Sequence, residues 1–238
     1  MATDNNPAGR LYQLLSAARA SNPHLPVKKV WSDIFKVSEN ELHKVYYYLT
    51  LLLSLVEHTE KEIKLIPNID HQLYLRPFAP IKNILAVSNF DSSWSVHSQQ
   101  LSDSVMTGLQ FCSERLSHCR PDNPAVDELK DLKVEVDDLF ESIQSSTIDA
   151  DLKSVLLDFT ESMRRALTEY QLRGISGLRE DLFSILDKLQ RNFKLVEQHK
   201  NESIVQKFWV VLAKYDTVSS VALNTPQVLT GFAKLLGM

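Results

Sequence analysis

The sequence predicts an all-α fold, an elongated bundle of about eight or nine helices with long heptad-like segments and no β-sheet. Apolar residues recur at every third or fourth position along most of the 238 residues, and no segment alternates convincingly with a period of two. Only 6 glycines and 9 prolines interrupt the chain. Few breakers of this kind indicate few turns and long elements.

Two short helices open the chain. Pro7 suits the first turn of a helix that ends before Pro23, and a second, shorter helix carries Val30 and Phe35. With a third helix they form a predicted N-terminal helical region over residues 1–90.

The third helix is predicted over residues 39–66, at the centre of this region. Val37, Ser38, Glu41 and Leu42 have the spacing of a capping box with a hydrophobic staple. The segment "VYYYLTLLLSLV" is apolar all round but too short to span a membrane, which favours a helix buried by several neighbours. Its heptad-like seam consists of Leu42, Val45, Leu49, Leu52, Val56, Thr59, Ile63 and Ile66.

The C-terminal region, residues 91–238, is predicted to be a second helical bundle with an apolar tail. The boundary is placed near residues 88–95 because Ser88–Ser104 holds seven serines and is the most linker-like stretch. One continuous domain is the alternative. The apolar seams of this region start at Leu101, Leu129, Leu152, Leu178 and Ile204.

Two glycines, Gly174 and Gly177, interrupt the segment "EYQLRGISGLREDL", which otherwise favours helix. The apolar stripe from Met163 to Ile185 keeps its phase through them, which favours one long, bent helix with the glycines as a packing notch. A helical hairpin with Gly174 in a left-handed conformation is the alternative. A phosphate loop is not expected, because no strand precedes the glycines and no Lys-Ser/Thr pair follows them.

The same segment, with Arg-Gly-x-x-Gly-Leu after a tyrosine, resembles uncharacterised all-helical bacterial proteins, some of them encoded in mobile-element or phage-defence islands. The resemblance covers residues 152–196. It implies no activity and transfers no catalytic residue, but it raises a role in such a system.

Charge is distributed unevenly along the chain. Residues 120–151 hold ten acidic residues against three basic ones, so this segment carries about −7 and the rest about +3 of the −4 total. A solvated helix face is one interpretation. The sharper one is an acidic docking face formed by Asp131, Glu135 and Asp138, which would receive a basic partner.

No residue pattern predicts an enzyme, a cofactor or a metal site. His58 lacks the second histidine of a zinc helix, and His118 with Cys112 and Cys119 gives at most three ligands on one helix. The two cysteines lie seven residues apart on a predicted apolar seam, too far apart for a disulfide in a helix of about 1.5 Å rise per residue. Reduced thiols and the absence of a signal-like N-terminus predict a cytoplasmic protein.

Two further regions suggest partners. Basic and aromatic residues mix near the N-terminus, among them Arg10, Lys28 and Trp31, but nucleic-acid binding is not expected from their loose spacing and the acidic pI of 6.0. The apolar region 203–238 predicts docking back on the bundle or onto a second subunit, or else action on a membrane surface. Its tail presents one face consisting of Val228, Leu229, Phe232, Leu235 and Leu236.

The function predicted from the sequence is therefore protein–protein interaction or assembly without catalysis, with another protein, with itself, or with both. No stable membrane span is expected, because no stretch of 18 uncharged apolar residues exists. The alternatives are a membrane-acting effector that uses region 203–238 and nucleic-acid or nucleotide binding through the N-terminal helices.

Overall fold

The computed structural model describes residues 5–86, 88–119 and 126–220. These residues form helices, with one isolated bridge between Pro26 and Ser93 and no β-sheet among them, so the all-α prediction is confirmed. The chain divides into two compact units, Met1–Pro121 (unit 1) and Asp122–Met238 (unit 2).

Unit 1 is organised around its third helix, which contacts α1, α2, α4, α5 and α7. Buried apolar residues of every helix but the shortest two point into this core. The helices are α1 (Pro7–Ala20), α2 (Val27–Phe35), α3 (Leu42–Lys64), α4 (His71–Leu75), α5 (Phe78–Leu85), α6 (Ser95–Ser98) and α7 (Asp103–Cys119).

Helix α1 begins where a buried asparagine caps it. The Asn6 side-chain oxygen accepts a hydrogen bond from the Gly9 N–H at 2.9 Å, and Pro7 follows in the first turn. The Asn6 amide nitrogen donates to the Ser113 carbonyl at 2.8 Å and to the Ser117 hydroxyl at 2.7 Å. One side chain therefore starts α1 and also fixes it against α7.

Helix α3 begins at Leu42, three residues later than predicted. The predicted capping box does not form: the N-cap Glu41 makes no side-chain capping bond, and its carboxylate pairs with Lys44 at 2.7 Å. Ser38 instead belongs to a turn in which its carbonyl accepts from the Glu41 N–H at 3.0 Å. The helix ends at Lys64, so it is shorter at both ends than residues 39–66.

The several neighbours of α3 bury one side of the helix rather than its whole surface. Its seam from Val45 to Ile63 is buried, but Tyr46 is 52% exposed and Tyr47 46% exposed on the opposite side. Five neighbouring helices cover only one side of the helix, which leaves an uncharged strip facing outward.

The serine-rich stretch is not a linker. Trp94 is fully buried, and its indole N–H donates to the Ala18 carbonyl at 2.9 Å. The Trp94 backbone N–H donates to Leu25 at 2.8 Å, and the Val27 N–H donates to Ser92 at 3.0 Å. The contacts therefore divide the chain after Pro121 rather than near residues 88–95, and the first half of the predicted C-terminal region packs in unit 1.

Unit 2 consists of α8 (Val126–Ser145), α9 (Ala150–Thr168), α10 (Tyr170–Arg191), α11 (Phe193–Gln198) and α12 (Ser203–Ser220). Helix α8 contacts α9 and α12, and α10 contacts the same two helices, so four helices surround one core. The apolar seams predicted from the sequence supply that core, which includes Val136, Phe159, Leu182 and Phe208.

The chain reverses near Gly174 and forms a helical hairpin, so the single long helix is wrong, but a ψ of −157° puts Gly174 outside the left-handed helical region that the hairpin alternative assigned to it. Gly174 has φ 61° and ψ −157°, a conformation that is not helical and that only glycine adopts readily. Lys188 pairs with Asp158 at 2.6 Å, and Arg165 pairs with Asp181 at 3.5 Å. In each pair the two residues are equally distant in sequence from residue 173, as expected for antiparallel helices joined there.

Candidate functional site

An open groove in unit 1, which we call the α4–α7 groove, is a concavity lined by described residues. It runs between α4 and α5 on one side and α7 on the other, with the connection before α7 at one end, and its volume is about 980 Å³. Volumes of this size are typical of sites that enclose part of a ligand or peptide. Its lining includes Leu73, Tyr74, Pro77, Pro80, Val105, Gly108 and Phe111.

The groove floor depends on a close approach of the α7 backbone to the ring of Pro77. A Cβ atom built on Gly108 would lie 2.4 Å from Cγ of Pro77, which no real contact permits, so only glycine lets α7 come this near. Behind it, the Cys112 thiol donates to the Tyr74 carbonyl at 3.3 Å. These contacts join α4 and α5 to α7 and give the groove a fixed base.

The groove walls expose large apolar side chains. Leu73 is 51% exposed and Phe111 is 55% exposed, although both lie on short or well-packed helices. Single exposed apolar residues are ordinary, but here two of them line the same concave surface.

The polar groups of the groove leave one cation unpaired. Asp103 at its edge pairs with Arg19 at 2.6 Å. Arg76 is exposed and makes no ion pair within residues 5–86, 88–119 and 126–220. The groove therefore combines apolar walls with one available positive charge.

A second surface of unit 1 is the outer side of α3. Tyr46 packs edge-on against Phe90 with ring centroids 4.6 Å apart, and Tyr47 contacts Tyr48 at 5.4 Å. Tyr48 in turn stacks on Phe35 at 5.3 Å. These ring contacts hold the exposed tyrosines in place from the core side.

Unit 2 contains a buried cluster of charges at its hairpin. The Arg173 guanidinium donates to Asp181 at 2.6 Å and to Glu169 at 3.2 Å, and the side chains of these acids are only 8% and 2% exposed. Burial disfavours the charged guanidinium, but its hydrogen bonds and ion pairs with Glu180, Asp181 and Glu169 dominate and raise the Arg173 pKa. The cluster holds the two arms of the hairpin together.

Tyr215 lies beside this cluster on α12. Its hydroxyl is buried and has no hydrogen-bond partner among the described residues. Burial, together with the nearby Asp181 charge, raises the Tyr215 pKa, so this phenol stays neutral.

The predicted packing notch is divided between two roles. Gly174 supplies the turn, whereas Gly177 lies in the helix that follows, where an added Cβ would be 2.4 Å from Cβ of Arg173. The close neighbour at Gly177 is therefore an arginine of the same hairpin and not a crossing helix.

The predicted acidic face is partly compensated within unit 2. Glu135 pairs with Lys214 at 2.6 Å, and Asp137 beside it pairs with Arg164 at 2.7 Å. Asp131 and Asp138 are exposed, although the Asp138 backbone carbonyl accepts from Lys207 at 3.3 Å. The three predicted residues do not form a uniform row of unpaired charges.

The N-terminal basic and aromatic residues are largely used inside unit 1. Arg10 is 4% exposed and donates to the Asn5 carbonyl at 2.7 Å, and Trp31 is fully buried. Lys28 pairs with Asp91 and Lys29 with Asp33, each at 2.7 Å.

The predicted apolar tail face, Val228, Leu229, Phe232, Leu235 and Leu236, lies outside the described residues. Within the described ranges, no helix combines the length and the hydropathy that a bilayer crossing requires. The same ranges contain no group of three or more His, Cys, Asp or Glu side chains placed to hold a metal ion.

The two cysteines differ in exposure. Cys112 is buried and burial raises its pKa to about 12, whereas Cys119 is exposed and does not belong to the apolar seam as predicted. We expect an aromatic disulfide reagent at pH 8 to label one thiol per native chain quickly and two after unfolding. Two fast thiols in the native protein would contradict the packing of Cys112 against Tyr74.

The groove escaped the sequence patterns because its residues lie off the seams. Phe111 follows Gln110 on α7, between the seam residues Leu109 and Cys112, and Gly108 is a helix breaker inside a helix. The sequence features that could have indicated the groove are a large apolar residue off the seam and a nearby glycine.

No family model, curated protein or solved structure matches the chain. Its function therefore rests on the chemistry of the surfaces described above.

Proposed function

We propose that the protein is a non-enzymatic binding protein and that its α4–α7 groove receives an apolar segment of a partner protein. The observation that carries the proposal is the exposure of Leu73 and Phe111 over a concavity of about 980 Å³. A partner that covers these side chains gains about 25 cal/mol of binding free energy for each Å² of apolar surface that it removes from water.

The chemistry of the groove describes the partner segment. An amphipathic helix presents anchors at positions i, i+3 or i+4, and i+7, which suits a groove walled by helices. One acidic residue near these anchors would pair with Arg76, the cation that has no ion pair in the described ranges. We therefore expect a short helical segment with two or three large apolar side chains and a carboxylate.

A displayed library of helical peptides, selected against the full chain, tests this proposal. Selected peptides should share large apolar anchors and an acidic residue. Leu73→Asp and Phe111→Asp should each weaken binding of a selected peptide at least about tenfold, because each places an unpaired charge against an apolar anchor. Arg76→Glu should favour peptides in which the acidic residue is replaced by lysine.

Val210→Asp is the matched control, because Val210 is 57% exposed and belongs to unit 2. It should leave peptide binding unchanged. Selected peptides that ignore all three groove variants, or a library that yields no binder, would refute the proposal.

The resemblance of residues 152–196 supports a narrower form of the proposal, in which the interaction takes place within a bacterial defence or mobile-element system. The partner is then a protein encoded in the same island. This form adds a setting to the binding function and assigns no reaction to the chain.

A further inference from the structure

The segment from Val45 to Val56 contains no charged residue, although one side of it is exposed. The exposed residues Tyr46, Tyr47, Thr50, Leu53 and Ser54 form what we call the α3 outer face. Their spacing puts them on one stripe of the helix, about 12 Å long at a rise of 1.5 Å per residue. A solvated helix face normally carries charges, so this one has the composition of a contact surface.

The tyrosines of this face are already ordered. Tyr46 is held by Phe90 and Tyr47 by Tyr48, so little side-chain freedom remains to be lost when a partner covers them. Tyrosine is one of the residue types enriched at the energetic centres of protein interfaces.

We propose that two copies of the chain associate through this face, with their α3 helices antiparallel about a two-fold axis at Thr50. Residues equally distant from Thr50 then face each other, so Tyr47 meets Leu53 of the second copy and Tyr46 meets Ser54. Such a self-complementary contact closes after two copies.

The side chains at the two ends of the face favour a second copy of the chain in the antiparallel direction. His43 lies at the amino-terminal end of the face, next to Lys44, whose ammonium group already pairs with Glu41 at 2.7 Å, and Glu57 lies at the other end without an ion pair in the described ranges. His43 and Glu57 are equally distant from Thr50. Antiparallel copies therefore place the His43 imidazole, which can donate a ring N–H, against the Glu57 carboxylate at both ends, whereas parallel copies place the two Glu57 carboxylates together.

This inference does not depend on the proposed function of the groove. No residue of α3 lines the α4–α7 groove, so a chain that dimerises is able to bind a peptide independently. Failure of one proposal leaves the other to be tested by its own variants.

Sedimentation velocity of the full chain over a range of concentrations tests the association. The wild type should form a dimer, and Leu53→Asp should weaken it about a hundredfold, because a carboxylate opposite Tyr47 is buried without a partner. Val134→Asp is the control, since Val134 is 59% exposed on α8, and it should leave the dimer intact. A monomer at all concentrations, or a dimer insensitive to Leu53→Asp, overturns the proposal.

Cross-linking tests the two-fold axis itself. In a Cys119→Ser background, Thr50→Cys should form a disulfide-linked dimer on mild oxidation, because residue 50 faces its own copy. Ser54→Cys alone should link far less, and a mixture of Ser54→Cys and Tyr46→Cys chains should link well. Equal linking by Thr50→Cys and Ser54→Cys contradicts the axis.

Charge exchange tests the direction. Glu57→Lys should weaken the dimer about tenfold, and adding His43→Glu in the same chain should restore it. A double variant that is weaker than Glu57→Lys alone contradicts the antiparallel arrangement.

Discussion

Replacing Arg173 with methionine is expected to lower the free energy of unfolding by about 3–5 kcal/mol. The change removes the cation that the buried Glu169 and Asp181 share and leaves Asp181 the longer contact with Arg165 at 3.5 Å, and burying carboxylates that have lost this partner costs more than the ion pair itself contributes. Urea unfolding followed by circular dichroism measures the change in midpoint and slope.

Two further variants separate this explanation from a simple loss of packing. Combining Arg173→Met with Glu169→Gln and Asp181→Asn should recover most of the stability, because the buried charges disappear together. Arg191→Met removes an arginine that pairs with Asp187 on the surface, and it should cost less than about 1 kcal/mol. A triple variant no more stable than Arg173→Met would show that packing, not charge, is the cause.

Gly174→Val is expected to destabilise unit 2 by about 3 kcal/mol, the upper end of the range for strained backbone positions. The φ of 61° and ψ of −157° at Gly174 are closed to a β-branched residue, so the hairpin must distort or open. Thermal and urea unfolding of the full chain measure the effect.

Ser176→Ala is the control for this position, since Ser176 is exposed two residues further along. It should change stability by less than about 0.5 kcal/mol. If Gly174→Val unfolds at the same midpoint as wild type, the turn does not require glycine and the hairpin geometry is wrong.

The helices of unit 2 were predictable because their apolar residues follow a helical period. The seams through Val136, Phe159 and Leu182 identify the buried side of each helix and point to the shared core. Periodicity of this kind reports which side is buried but not which helix covers it.

The hairpin was harder to predict because the apolar stripe keeps its phase across the turn. Residues on both arms of the hairpin face the same core. The apolar residues from Tyr170 to Leu178 therefore keep their spacing of three or four, although the chain reverses at Gly174. The decisive quantity is the backbone conformation of one glycine, and sequence spacing does not record it.

In unit 1, the burial of single residues was mispredicted where the composition of their segment differs from the environment that their tertiary neighbours create. Trp94 lies in a serine-rich stretch yet fills the core, whereas Tyr46 lies in the most apolar segment yet is exposed. Composition predicts the average environment of a segment, but the position of a single side chain depends on tertiary contacts distant in the chain.

The groove could not be predicted because its walls come from residues that are remote in sequence. Leu73 and Phe111 are 38 positions apart, and they line one groove in which Gly108 allows Pro77 to approach α7. No local pattern encodes that approach.

Amide hydrogen exchange with and without a library-selected peptide tests the central claim, that the α4–α7 groove of unit 1 is a protein-binding site. The claim predicts slower exchange in α4, α5 and α7, residues 71–85 and 103–119, with no change in α8 to α10. Slower exchange confined to α8 to α10, with the groove helices unchanged, would contradict it.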